Sequence, residues 1–226
     1  MRIIGALALM TAAIANAAPQ SPTAPQSRTA PQSRAPQQRP AQPSPPVQLA
    51  PLDLTRVAEP CKPLVKQAMA QSLAAALTAR VSLASCMADR AVAPLALCDC
   101  GESILAVDTA VAPAIAVLDN VIEVGDPAMQ VIAEHAEGKL YAGFAARLLT
   151  TLPRPGPGAA DTELALRDLR KQALEAQLTP WREAAMAAFQ HVVEIARAHP
   201  EVASNASAAS AIRDSQQQLA AEVATR

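Results

Sequence analysis

Aromatic side chains are nearly absent from this chain, with one Trp, one Tyr and two Phe in 226 residues. A core must then be built from Ala, Leu, Val and Ile, which calls for closely spaced helices. Glycine is scarce after Pro157-Gly158, and β-branched alternation is missing, which excludes a sheet protein. There is no Gly-x-Ser-x-Gly, no His-Glu-x-x-His and no glycine loop able to cradle a phosphate. Cys-x-x-Cys is absent too, as is its haem-attaching extension. No enzyme activity and no cofactor are therefore expected. Charge is almost balanced, 19 basic residues against 20 acidic, and no nucleic-acid partner is expected.

What is present begins with an apolar run after Arg2 that ends in Ala15-Asn16-Ala17. Small residues at those two alanine positions suit a signal peptidase, so residues 1–17 read as a secretory signal cleaved after Ala17. The run is shorter than the roughly 20 residues of a membrane span. No later stretch reads as a transmembrane helix, because Arg, Asp, Glu and Gln interrupt the Ala-rich segments. A periplasmic or secreted protein that does not span the membrane is expected.

From Ala18 to Leu52 the chain is largely Ala, Pro, Gln, Ser and Arg, with no acidic residue as far as Pro51. Thr23-Ala24-Pro25-Gln26-Ser27-Arg28 is repeated at once as Thr29-Ala30-Pro31-Gln32-Ser33-Arg34. Such a segment buries too little to offset the entropy of ordering and is expected to be a disordered tether. Arg28, Arg34 and Arg39 are too widely spaced to make it more than a spacer, although an anionic wall polymer is the partner they would suit.

Residues 53–226 are expected to form one all-α domain of about six helices. The first runs from Lys62 to Arg90, with Val65, Met69, Leu73, Ala76, Leu77 and Val81 on one face. The second, Glu102 to Val124, contains Pro113, which should kink or restart it. The third opens at Asp126-Pro127 and carries Val131, Tyr141, Phe144 and Leu148 as far as Thr151. A proline-rich loop follows. Asp161 caps a fourth helix with a heptad-like stripe of Leu166, Leu169, Ala173 and Ala176. Thr179-Pro180 restarts the chain as a fifth, with Trp181, Ala185, Phe189, Val192 and Ile195, ended by Pro200. The sixth runs from Asn205 to Ala224, with Ala208, Ile212, Ser215 and Leu219.

Four cysteines in an exported chain point to disulfides, and Cys61, Cys86, Cys98 and Cys100 are the candidates. A Cys98–Cys100 bond would close a very tight ring, so each is expected to pair outward. A continuous helix from Lys62 to Cys86 would be about 37 Å long, whereas bonded Cα atoms lie within about 7 Å. Either that helix breaks, or only Cys86 reaches the Cys-Asp-Cys turn. The Cys86 bond is the favoured reading. Scattered spacing argues against zinc.

Ala114, Leu118 and Val121, followed by Gly125-Asp126-Pro127, have the spacing of the second helix of a tetratricopeptide repeat and the turn leaving it. Gly138 and Tyr141 stand as in a first helix, and Ala185, Phe189 and Val192 as in another second helix. From about Val121 to Ala198 the chain resembles the C-terminal part of tetratricopeptide-like proteins of the bacterial cell envelope. That resemblance implies antiparallel helical hairpins and a non-enzymatic scaffold binding another envelope protein. Leu118, Val121, Gly138, Tyr141, Phe144, Trp181, Phe189 and Val192 would be its repeat-like core. The rival reading is a metal-binding helical bundle using Glu134, His135 and Glu137 with His191 and Glu194. Its His and Glu stand in reversed order, and the second Glu-x-x-His that such bundles use is missing.

Overall fold

A computed structural model describes residues 49–225. The signal segment and the tether up to Gln48 lie outside the described residues. Among the described residues, six α-helices and three short 3-10 turns are formed: α1 (Lys62–Ala68), α2 (Leu73–Val92), α3 (Gly101–Val124), α4 (Pro127–Leu149), α5 (Asp161–Ala198) and α6 (Ala206–Thr225). Among the described residues there is no strand. Each helix packs mainly on its neighbours in the chain, and α4 also touches α2 and α6.

The number of helices is as expected, but two boundaries are not. The first helix breaks at Met69–Ser72, and Met69 and Leu73 face solvent instead of the core. No proline or glycine stands in the break. Its cause is long-range. The buried Arg80 guanidinium donates from Nε to the Ala68 carbonyl (3.4 Å), satisfying a backbone acceptor at the end of α1. α1 then folds back along α2, and Cys61 bonds to Cys86 with Cα atoms 5.8 Å apart. The favoured link from Cys86 to the later turn is thereby corrected, and Cys98 bonds to Cys100.

The fourth and fifth expected helices are one, since α5 runs unbroken through Pro180, just as α3 runs through Pro113. Each proline removes one backbone donor. The carbonyls left without that donor belong to Thr109 and Ala176, both exposed to water. Val111 and Ala114 hold α3 in the core on either side of Pro113, and Leu178 and Trp181 do so around Pro180. Thr179, expected to cap a new helix, instead donates its hydroxyl to the Glu175 carbonyl (3.2 Å). Asp161 is the first residue of α5 and makes no cap; Ala160 precedes it.

One expected cap is formed, at Asp126, and a second that was not expected forms at Asn205. The Asp126 carboxylate accepts from the Met129 N–H (2.9 Å), and the Asn205 side chain accepts from Ser207 and Ala208. Gly125 joins α3 to α4 where a Cβ would lie 2.6 Å from the Val121 carbonyl oxygen, so only glycine fits. The domain also begins earlier than expected. Leu49 and Leu52 pack against the core, and Ala50 is held by Arg80 and Asn120.

All the aromatic residues of the chain lie on α4 and α5. Trp181 meets Tyr141 and Phe144 edge-on, each at a ring separation of 6.4 Å, while Phe189 lies 5.9 Å from the His135 ring. By length and apolarity α3 does have the make-up of a membrane-crossing helix, with a mean hydropathy of 1.6, contrary to the expectation that no later stretch would. In this fold Val107, Val111, Ala114, Leu118 and Val121 of α3 are buried against the other helices.

Candidate functional site

Three places gather chemically distinctive side chains. The first is an acidic groove between α3, α4 and α5, with a cavity of about 420 Å³. Asp119 comes from α3, Glu134, Glu137 and Tyr141 from α4, and His191 from α5, over an alanine floor. Residues spaced three and four apart share a helix face, so Glu134, Glu137 and Tyr141 line one wall. Burial pushes the Glu137 carboxyl up to about 7, with help from the charges of Asp119 and Glu134. Burial also raises Glu134 and Asp119, and it raises the Tyr141 phenol to about 12. Facing them is His191, whose Nδ1 stands 3.5 Å from the Glu134 carboxylate.

The structure thus brings Glu134, Glu137 and His191 together and leaves out the two other residues of the metal reading. Glu194 is exposed on α5. His135 turns toward α6, where Nδ1 lies 3.1 Å from the Ser215 hydroxyl and Nε2 3.1 Å from the Asp214 carboxylate. Burial lowers the His135 pKa, and Lys139 adds to that while Asp214 opposes it. A neutral ring satisfies both contacts: Nε2–H donates to the carboxylate, and Nδ1 accepts from the hydroxyl. The order Ser–His–Asp resembles a hydrolase relay, but Ser215 is fully buried, with no surface for a substrate to reach. It locks α6 onto α4. No group of three or more metal-ligating side chains is placed to hold an ion among the described residues.

The second place is the first half of α5. Every residue from Asp161 to Ala173 is exposed except the half-buried Arg167. The stripe of Leu166, Leu169, Ala173 and Ala176 expected to face a core is uncovered, with Leu166 50% and Leu169 63% exposed. Burial on α5 begins at Leu174 and Leu178, on another side of the helix.

The third is the Cys98-Asp99-Cys100 turn entering α3. The Ser103 hydroxyl lies 3.1 Å from the Cys98 sulfur and 3.8 Å from that of Cys100.

Of the repeat-like core residues, Leu118, Val121, Gly138, Phe144, Trp181, Phe189 and Val192 are buried and Tyr141 is half-buried. Sequence reasoning missed Arg80, although it occupies an apolar-stripe position between Ala76, Leu77, Leu83 and Ala84. A charged residue at a core register was the available signal. It also missed Asp119, Asp214 and Ser103, whose roles come from which helices meet. No protein-family model, curated protein or solved structure matches this chain.

Proposed function

We propose that this chain is an exported, non-enzymatic scaffold of the cell envelope that binds another protein through the first half of α5. The observation that carries this reading is the uncovered Leu166–Leu169–Ala173–Ala176 stripe. An amphipathic stripe held out of its own core offers apolar surface that a partner helix can bury. Charges of both signs flank it: Asp161, Glu163 and Asp168 with Arg167, Arg170 and Lys171. An amphipathic helix of mixed charge is therefore the occupant it suits. The resemblance of Val121 to Ala198 to tetratricopeptide-like hairpins supports a scaffold role, and the upstream proline-rich stretch would set its distance from the anchoring surface.

Leu166→Lys with Leu169→Lys tests this. In-cell crosslinking from α5 should capture a protein that the double variant loses, while the thermal melt stays within about 1 °C, as expected where no buried contact is removed. Capture of wall polymer without protein, or capture unaffected by the two lysines, refutes the reading. A second reading, the metal-binding bundle, would use the acidic groove, where Glu134 and His191 approach within 3.5 Å though no three ligands converge among the described residues. Metal added to the purified chain should then raise its melting temperature.

A further inference from the structure

The two cystines differ in kind. Cys61 is fully buried and Cys86 is half-buried beneath α1, which suits a bond that only holds helices together. Cys98 is exposed, Cys100 is half-exposed, and their bond spans the single residue Asp99. Such a short loop gains almost nothing as a staple, because cross-linking stabilises in proportion to the chain entropy it removes. A structural role therefore does not explain it.

The surroundings fit exchange chemistry. Ser103 is buried to 4% exposure, yet its hydroxyl is aimed at both sulfurs. The Cys98 N–H donates to Ser103 Oγ (2.7 Å), which leaves the hydroxyl proton to donate to the Cys98 sulfur at 3.1 Å. Cys100 stands at the N-cap position of α3, without a side-chain hydrogen bond to it, where the first-turn N–H groups favour negative charge. Asp99 and Glu102 oppose this, the Glu102 carboxylate standing 4.0 Å from the Cys100 sulfur. The hydroxyl makes Cys98, the more exposed sulfur, the better-stabilised thiolate.

We propose that Cys98-Asp99-Cys100 is a thiol–disulfide exchange site for dithiols of another polypeptide, with Cys98 as the sulfur that bonds to the partner. A partner thiolate attacks Cys98 Sγ, a mixed disulfide forms, and Cys100 leaves with the electron pair as a thiolate. The partner's second thiolate attacks its own sulfur in the mixed disulfide and expels the Cys98 thiolate onto the Ser103 hydroxyl. The partner dithiol is oxidised to a disulfide, the Cys98–Cys100 pair is reduced, and the two protons the partner loses are those the two cysteines take up. The site is independent of the leucine stripe and goes beyond the scaffold reading.

The test equilibrates the oxidised full chain with graded glutathione buffers and with a reduced dithiol peptide, then traps free thiols in acid for peptide mass analysis. Cys98 and Cys100 should become reducible at a glutathione ratio at least about tenfold less reducing than Cys61 and Cys86 require. The dithiol peptide should be oxidised with loss of the Cys98–Cys100 bond alone. Cys100→Ser, mixed with the disulfide form of the same peptide, should accumulate a mixed disulfide on Cys98, and Ser103→Ala should slow alkylation of the reduced Cys98 at neutral pH between about twofold and tenfold, the equivalent of one hydrogen bond. Reduction of both pairs together overturns the proposal. So does a Cys98–Cys100 bond that resists the peptide, or an alkylation rate indifferent to Ser103.

Discussion

Gly138 sits where α4 crosses α5, and a Cβ there would lie 2.6 Å from the Phe189 ring. Phe189 is 1% exposed and cannot swing away. Gly138→Ala should therefore destabilise the fold by about 1–3 kcal/mol despite the better helix propensity of alanine, read as a lower melting temperature. Glu137 carries a prediction of opposite sign. Its carboxyl is raised from the ordinary 4.5 to about 7, so the folded chain holds this proton longer than the unfolded one. Below pH 4.5 both states are protonated and the group is neutral in effect. Stability falls as pH rises from 4.5 to 7, and the full cost stands above 7. Glu134 and Asp119 shift in the same direction, and His191 opposes Glu134 and Glu137. Glu137→Gln should stabilise the protein at pH 8 by about 1–2 kcal/mol, allowing for partial contact with water, and leave it unchanged at pH 4, by chemical denaturation at each pH. Gly138 was visible in the sequence as a helical glycine, and Glu137 as one of a cluster. The neighbours that give each its consequence come from α3 and α5, and no local pattern reveals them.

At the scale of elements, α5 tests how much a proline costs inside a helix held by its core. Pro180 is exposed and the helix continues through it, so Pro180→Ala should restore one backbone hydrogen bond without disturbing packing. A gain of about 1–3 kcal/mol is expected, measured by denaturant titration. The opposite element is α1, pinned at Cys61 across a sequence separation of 25 residues. Removing that bond with Cys61→Ala and Cys86→Ala should cost about 3 kcal/mol and raise hydrogen exchange in α1 first. That helices would form was readable from alanine and leucine content and from the cap at Asp126. Where they stop was not. Proline argued for two breaks that do not occur, because the carbonyls it frees face water. The Met69–Ser72 break occurs without any breaker residue, because Arg80 and the Cys61–Cys86 bond act from a distance.

For the whole molecule, the buried Arg80 decides where the domain starts. Its guanidinium donates to the Ala50 carbonyl at 2.7 Å and to the Asn120 side chain at 2.8 Å, and Asn120 accepts from the Ala50 N–H. Among the described residues its acceptors are carbonyl oxygens, and no carboxylate bonds to it. A chain beginning at Asp53 should thus melt lower than one beginning at Gln48, since the shorter one strips the cation of its Ala50 acceptor and takes Leu49 and Leu52 off the core. The stripe on α5 shows the same gap between pattern and place: its periodicity was plain, but only the assembled fold shows that it is left uncovered.

The clasp at Ala50 also has a mechanical meaning. Tension arriving from upstream would meet the bundle at one residue, Ala50, gripped from two helices, α2 through Arg80 and α3 through Asn120. Both grips must fail before the pull can begin to peel the chain from Leu52 onward, which places the first yield point at the Arg80 and Asn120 pair.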